Sequence, residues 1–147
     1  MQLISIDPSV HNSGIALFDN RNVINVGVFN LYELCLYLNT KLPEFDYIVF
    51  EASNKQKAVW GKNMRCVGQV DGVCNAIRQA VESENKRRKK LKLKSIILKE
   101  ISPLGKGAKI PAELMQLNFP QWKITQDIAD AIKIGERFAF EILTLDK

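Results

Sequence analysis

The order of the apolar runs along the chain is the feature that most constrains its fold. Short apolar runs separated by polar turns predict three consecutive strands near the N-terminus, and helical and strand-like spacings alternate after them. The predicted strands are residues 3–6, 14–19, 23–29, 47–50 and 95–98, and the predicted helices are residues 31–42, 64 to about 86, 112–117 and 126–143. This order predicts an α/β fold with a five-stranded mixed sheet, in which an antiparallel meander and two parallel strands have helices on both faces.

The length and composition of the chain fit one globular domain. It has 147 residues, 46% hydrophobic and 25% charged, with no repeat or Ser/Gly-rich linker, so residues 1–147 are predicted to be a single domain. No apolar run approaches the roughly 20 residues of a membrane span, and no signal peptide is recognisable. The three cysteines have no paired or zinc-like spacing, which favours a reducing compartment such as the cytoplasm.

Acidic residues stand where two apolar strands end and where one helix begins. Asp7 and Glu51 directly follow the first and fourth predicted strands, and such strand ends can meet at one edge of a sheet. Asp127 and Asp130 share one face of the first turn of the last predicted helix, with Thr125 as its N-cap. Carboxylates at such an edge must be paired or hold a cation, and hard oxygen ligands suit Mg²⁺ or Mn²⁺.

Each acid by itself has a simpler explanation. An acid after a strand is commonly a turn former, and acids in the first turn of a helix complement the helix dipole. The four acids together, with no competing His or Cys site in the sequence, favour a two-metal site instead. Two ions about 4 Å apart can activate water and stabilise the leaving oxygen of a phosphodiester. The residues alone therefore predict metal-dependent phosphodiester hydrolysis.

Four motifs of the chain follow one another in the order of a known nuclease family. Residues 6–14 are similar to an apolar strand followed by Asp-Pro-Gly and Thr/Ser-Gly, with Ser9 where the family has Gly. Residues 50–51 resemble the second acidic strand end, residues 68–73 the Gly-Gln-x-x-Gly-Val helix, and residues 127–131 the closing Asp-Ala-Ala-Asp-Ala. The chain thus resembles the RuvC family of Holliday-junction resolvases, in the RNase H-like superfamily, and in particular a short, virus-like member.

The resemblance implies a complete set of functional expectations. It implies an RNase H-like fold and a homodimer that makes paired incisions at a four-way DNA junction, with two Mg²⁺ or Mn²⁺ ions per site and no small-molecule cofactor. The metal ligands and catalytic residues that carry over are Asp7, Glu51, Asp127 and Asp130. Lysines near the fifth strand and in the loop after it contact DNA in the family, and the counterparts here are Lys94, Lys106 and Lys109.

Two glycines of the third motif are predicted to allow another helix or strand to approach this helix closely. Gly68 and Gly72 lie one turn apart in a helix, where each costs about 1 kcal/mol relative to Ala. The resemblance places them at the dimer interface. The alternative is packing against the sheet of their own chain.

A dense basic run is the clearest sign of a polyanionic partner. The net charge is +5, and the basic residues of the run are Lys86, Arg87, Arg88, Lys89, Lys90, Lys92 and Lys94. A solvated helix end, where cations suit the helix dipole, is the alternative. The density exceeds that need, so Arg87, Arg88, Lys89, Lys90 and Lys94 are predicted to contact DNA.

Two alternatives to strict junction resolution stay open. A broader debranching nuclease would cut forks, flaps and Y-junctions, and strong sequence-independent binding by the basic run would favour it. A non-catalytic RNase H-like DNA-binding scaffold is the other alternative, and the presence of all four acids speaks against it. Trp60 and Phe119 are candidates for stacking on bases, with partial burial in the core as the alternative. His11 is predicted to be an exposed turn residue.

Overall fold

The computed structural model of the protein describes residues 1–52, 64–101 and 109–145, without the side chains of residues 64–67. The predicted order of strands and helices is confirmed. The strands are β1 (Gln2–Asp7), β2 (Ser13–Asp19), β3 (Asn22–Phe29), β4 (Tyr47–Glu51) and β5 (Ile97–Ile101). The helices are α1 (Leu31–Lys41), α2 (Met64–Lys90), α3 (Ala112–Asn118) and α4 (Gln126–Leu145), and a 3₁₀ turn at Leu42–Glu44 leads into β4.

The five strands form one mixed sheet in the order β3-β2-β1-β4-β5. β1 pairs antiparallel with β2, and β2 pairs antiparallel with β3, which is the predicted meander. β4 lies parallel to β1, and β5 lies parallel to β4. β1 and β4 are therefore central and parallel, so their carboxyl ends lie at the same edge of the sheet.

Two hydrophobic cores cover the two faces of the sheet, as predicted. Because side chains alternate along a strand, Ile4 and Ile6 of β1 pack with α1 and α2, while Leu3 packs with α4. The contact with α4 is close, since Ser5 Oγ donates a 2.6 Å hydrogen bond to the backbone carbonyl of Ala131. Within the residues that the structure describes, no helix is long and apolar enough to cross a lipid bilayer.

The bounds of β5 and α2 differ from the sequence-based expectation. β5 begins at Ile97, opposite Tyr47, instead of at residue 95, because its parallel pairing with β4 sets the register. The residues just before it are held by α2: the side chain of Asn85 hydrogen-bonds both the backbone N–H and the carbonyl of Ile96. α2 extends beyond residue 86 to Lys90, because internal contacts of its last turns anchor it.

Candidate active site

The strand ends that carry Asp7 and Glu51 are neighbours. β1 and β4 pair in parallel with Ile6 opposite Phe50, so the next residue of each strand is the acid. Neighbouring strands lie about 4.8 Å apart, and residues in register point to the same face of the sheet. Ser5, two residues before Asp7, hydrogen-bonds α4. Asp7 and Glu51 are therefore on the face that α4 covers, and both are half-buried.

A glycine brings the start of α4 against the end of β1. Gly14 of β2 pairs with Asp7, and a Cβ atom built on Gly14 would lie 2.1 Å from the carbonyl oxygen of Asp127. The backbone at the start of α4 thus touches β2 directly beside Asp7, an approach that only glycine permits. Thr125 caps the helix at this point, because its Oγ1 accepts a 3.3 Å hydrogen bond from the N–H of Ile128. The predicted N-cap is confirmed.

The two carboxylates of α4 are held in an electrostatically unfavourable arrangement. Asp130 is only 7% exposed. Burial raises the pKa of Asp127, the negative charge of Asp130 raises that pKa further, and the positive charge of Lys109 opposes both effects. A buried acid and a half-buried acid next to one another favour a bound cation, because burying uncompensated charge is costly.

Gln126 connects Asp130 to the segment that precedes α3. Its Nε2 donates to Asp130 Oδ1 and to the carbonyl of Ile110, both at 3.0 Å, and its Oε1 accepts from the N–H of Ala112 at 3.1 Å. This side chain therefore fixes the orientation of Asp130 and keeps the neighbouring Lys109 close to the acids. Nothing in the sequence pattern singles out Gln126, because its backbone partners lie more than a dozen positions earlier in the chain.

The acids fit a hard divalent cation by the chemistry of their donors. Carboxylate oxygens from two strand ends and one helix are the ligands that Mg²⁺ and Mn²⁺ prefer. Among the described residues, however, no three His, Cys, Asp or Glu side chains are gathered into a preformed cage. Asp7 and Glu51 are also engaged in interactions of their own. The structure thus brings together the elements that carry the four acids, and the four-ligand site itself stays a prediction.

Solved structures with this arrangement of elements are known, although no family model and no curated protein matches the sequence. The chain is similar to Thermus thermophilus RuvC in complex with Holliday junction substrate, with 13% identity and a TM-score of 0.65 over 98% of this chain and 96% of that one. It is similar to the yeast mitochondrial Holliday junction resolvase Ydc2, with 14% identity and a TM-score of 0.66 over 98% and 81%. This chain has a RuvC-type, RNase H-like fold.

A second structure of Thermus thermophilus RuvC gives the same result, with 12% identity and a TM-score of 0.62 over 98% of this chain and 96% of that one. The predicted fold class is therefore confirmed. At identities this low, the TM-scores establish a common fold and nothing more. The chemistry of the site depends on the side chains of this chain.

The basic run lies at the opposite end of the RuvC-type sheet from the acids. Cys74 Sγ is 3.9 Å from the carbonyl oxygen of Glu51, whereas Arg88 Nη2 donates to the carbonyl of Phe45, just before β4 begins. Arg88 follows Cys74 by fourteen positions of helix, which corresponds to a rise of about 21 Å. The predicted DNA-contacting residues at this distal end are Arg87, Lys89, Lys90 and Lys94. Of the other two lysines, Lys109 lies close enough to act on Asp127, and Lys106 lies outside the described residues.

Arg88 is an internal residue, and the prediction that it contacts DNA is wrong. The residue is 7% exposed, and its Nε donates a 3.0 Å hydrogen bond to the buried Glu84. The other guanidinium donors bind backbone carbonyls of Leu42, Pro43, Phe45 and Lys94. A run of charged residues in a sequence does not show which of its side chains faces the protein core. Here the i,i+4 spacing places Arg88 beside Glu84 on the core side.

The two glycines of α2 face away from their own sheet. Gly68 and Gly72 are exposed, and a Cβ atom on either would meet no atom of the described residues within 4 Å. Packing against the sheet of the same chain, the alternative considered for them, is therefore excluded. The dimer interface stays a prediction.

The aromatic and histidine candidates divide clearly. Phe119 is half-buried at the edge of the core beneath α4, and its ring centroid lies 5.9 Å from that of Trp122. This is the partial burial that was considered as the alternative to stacking on bases. His11 is exposed in the turn after Asp7, as predicted. Trp60 lies outside the described residues.

Replacing Gly14 by Ala is expected to lower the free energy of unfolding by up to about 3 kcal/mol, because the new methyl group would collide with the backbone of Asp127. The clash would push the first turn of α4 away from Asp7 and reduce any activity of the site. Gly27→Ala is the matched control, since its Cβ would make only ordinary contacts with Ile15 at 3.5 Å. Urea unfolding of both variants tests this, and equal stabilities would contradict the close approach.

Proposed function

We propose that the protein is a metal-dependent endonuclease that resolves four-way DNA junctions. The observation that carries this proposal is the convergence of the strand ends of Asp7 and Glu51 with the first turn of α4. This convergence occurs on a fold shared with Holliday junction resolvases, one of which was solved in complex with Holliday junction substrate. The acidic edge supports this chemistry through the type and position of its residues, and the shared fold supports it separately.

The side chains of the chain have distinct parts in the proposed reaction. Asp7, Glu51, Asp127 and Asp130 would hold the ions, which would supply an activated water and stabilise the leaving oxygen of the phosphodiester. Gln126 keeps Asp130 in one orientation through its 3.0 Å hydrogen bond. The positive charge of Lys109 lowers the pKa of Asp127, and the same charge would attract the scissile phosphate to the acids.

Paired incision also calls for a second copy of the chain. Symmetric cuts on two strands require two sites related by a two-fold axis, which a homodimer supplies. No described residue occupies the space beside the exposed glycines Gly68 and Gly72 of α2, and this supports that face as the place where the partner's helix approaches. Sedimentation velocity at increasing protein concentration measures the association directly.

The decisive experiment is a nicking assay on a four-way junction with Mg²⁺, with Mn²⁺ and with EDTA. The proposal expects cleavage with at least one metal and none with EDTA. A Y-fork of the same arm sequences serves as the second substrate. Equal rates on fork and junction would replace strict resolution by general debranching, and intact junction binding without cleavage in either metal would establish the non-catalytic scaffold instead.

A further inference from the structure

We infer that the distal end of α2 is a second DNA-binding surface, separate from the cutting site. We call this surface the basic tip, and it comprises Lys89, Lys90, Lys92 and Lys94 with the two leucines between them. The choice of DNA as its partner draws on the proposed function. The position, the hydrogen bonds and the charge of the tip are observed independently of it.

The contacts along α2 fix the position of the basic tip. α2 runs antiparallel to β4 and β5, so Arg78 meets Glu100 near the end of β5, whereas Asn85 meets Ile96 just before that strand begins. The helix leaves the acidic edge near Cys74 and reaches the tip about 20 Å later. Charges on the protein surface are screened over about 8 Å at physiological salt. The tip therefore cannot hold the phosphate that is cut, and it acts on another part of the DNA.

Hydrogen bonds hold the backbone of the basic tip. α2 ends in a Schellman motif: the N–H of Leu93 donates to the carbonyl of Arg88 at 2.8 Å, and the N–H of Lys92 donates to that of Lys89 at 3.1 Å. The buried guanidinium of Arg88 ties this last turn to the chain that enters β4 and to the carbonyl of Lys94. The lysines of the tip are thus presented on a fixed turn, so binding DNA there would cost little ordering of the backbone.

The charge of the basic tip is unneutralised in the described part of the chain. Lys86 pairs with Glu82 at 3.4 Å, and Arg87 pairs with Glu84 at 2.7 Å. The four tip lysines, in contrast, are exposed and make no ion pair with any described residue. Lys92 even occupies the left-handed position of the motif, with φ of 57°, where glycine would be favoured. Four free ammonium groups within six residues exceed what a helix dipole requires and suit a run of phosphates.

An anionic lipid surface is the other partner that this chemistry suggests. Leu91 and Leu93 are 56% and 53% exposed between the lysines. Interfacial membrane binding, however, normally needs the continuous apolar face of an amphipathic helix. Two leucines that alternate with lysines in a tight turn do not provide such a face. The tip therefore fits a phosphate backbone better than a bilayer.

The test compares two variants that lose the same charge. Lys90→Gln/Lys92→Gly removes two tip charges, and glycine suits the positive φ of position 92, so the turn should be kept. Lys99→Gln/Lys123→Gln removes two exposed charges outside the tip, neither of which is ion-paired with a described residue, and is the matched control. Affinity for a 40-base-pair linear duplex is measured by fluorescence anisotropy in EDTA across a salt series. EDTA keeps the result independent of cleavage, so the tip can be tested even if the proposed nuclease activity fails.

The tip variant is expected to reduce the slope of log affinity against log salt by about 1.8, since each lost phosphate contact removes about 0.9. The control should keep the wild-type slope. An unchanged slope in the tip variant, or an equal loss in both variants, would overturn the inference. The inference would also be overturned if the tip variant kept the wild-type salt slope on duplex DNA but no longer sedimented with phosphatidylserine-containing vesicles that bind the wild-type protein. In a protein that cuts junctions, the tip variant should raise KM and leave kcat unchanged.

Discussion

Replacing Asp7 by Asn is expected to slow junction cleavage on the order of a thousand-fold or more while junction binding persists. Asp7 ends the central strand β1, beside Glu51 and against the first turn of α4. Asn keeps the shape of the side chain but removes the negative charge that a divalent ion needs. Losing several kcal/mol of metal-assisted stabilisation corresponds to this change in rate. Single-turnover cleavage of a four-way junction in Mg²⁺ measures it.

Asp19→Asn is the control for the loss of an aspartate. Asp19 ends β2 at the opposite edge of the sheet, is exposed, and accepts a hydrogen bond from the side chain of Gln2. This variant should cut at the wild-type rate. Gel-shift binding in Ca²⁺ and thermal unfolding of both variants separate lost catalysis from lost folding. Cleavage by Asp7→Asn at the wild-type rate would exclude the proposed site.

The parts of the site that could be predicted from the sequence are those set by local patterns. Asp7 and Glu51 end short apolar runs, and such runs indicate buried strands whatever the rest of the chain does. Thr125 has the side chain of an N-cap, so it predicts where α4 begins. Because parallel central strands share an edge of the sheet, the meeting of these residues followed from the fold class.

The parts that could not be predicted depend on contacts between distant segments. The seven basic residues of the run 86–94 look equivalent in the sequence, yet Arg88 points into the core because carbonyls at the entrance to β4 can accept its hydrogen bonds. The distance from the basic run to the acids could not be predicted from the sequence either, since it depends on the direction in which α2 crosses the sheet. Gln126 shows the same limit, because its partners belong to a segment whose path no local pattern reveals.

Arg88→Met is the substitution expected to cost the most stability, about 3–5 kcal/mol. Met fills a similar volume but donates no hydrogen bond, so it would leave Glu84 without the Nε donor and the carbonyls of Leu42, Pro43, Phe45 and Lys94 without the guanidinium donors. A domain of this size is stable by only about 5–15 kcal/mol. The loss should fall toward the lower end of the range, because Arg87 continues to pair with Glu84. Urea unfolding measures the change.

Three comparisons test whether the buried pair is the cause. Lys89→Gln, one position along the helix and exposed, should change stability by less than about 0.5 kcal/mol. Glu84→Gln/Arg88→Met should recover part of the loss, because no carboxylate is then left buried with fewer partners.

The hydrogen bond from Arg87 is the largest cause that lowers the pKa of Glu84 from its ordinary 4.5. The stability from Glu84 is therefore complete above about pH 4.5 and is lost as the pH falls through the lowered pKa. The loss in free energy of unfolding caused by Arg88→Met should therefore become smaller in that acidic range. A loss that did not change with pH would mean that it comes from the backbone carbonyls alone and not from Glu84.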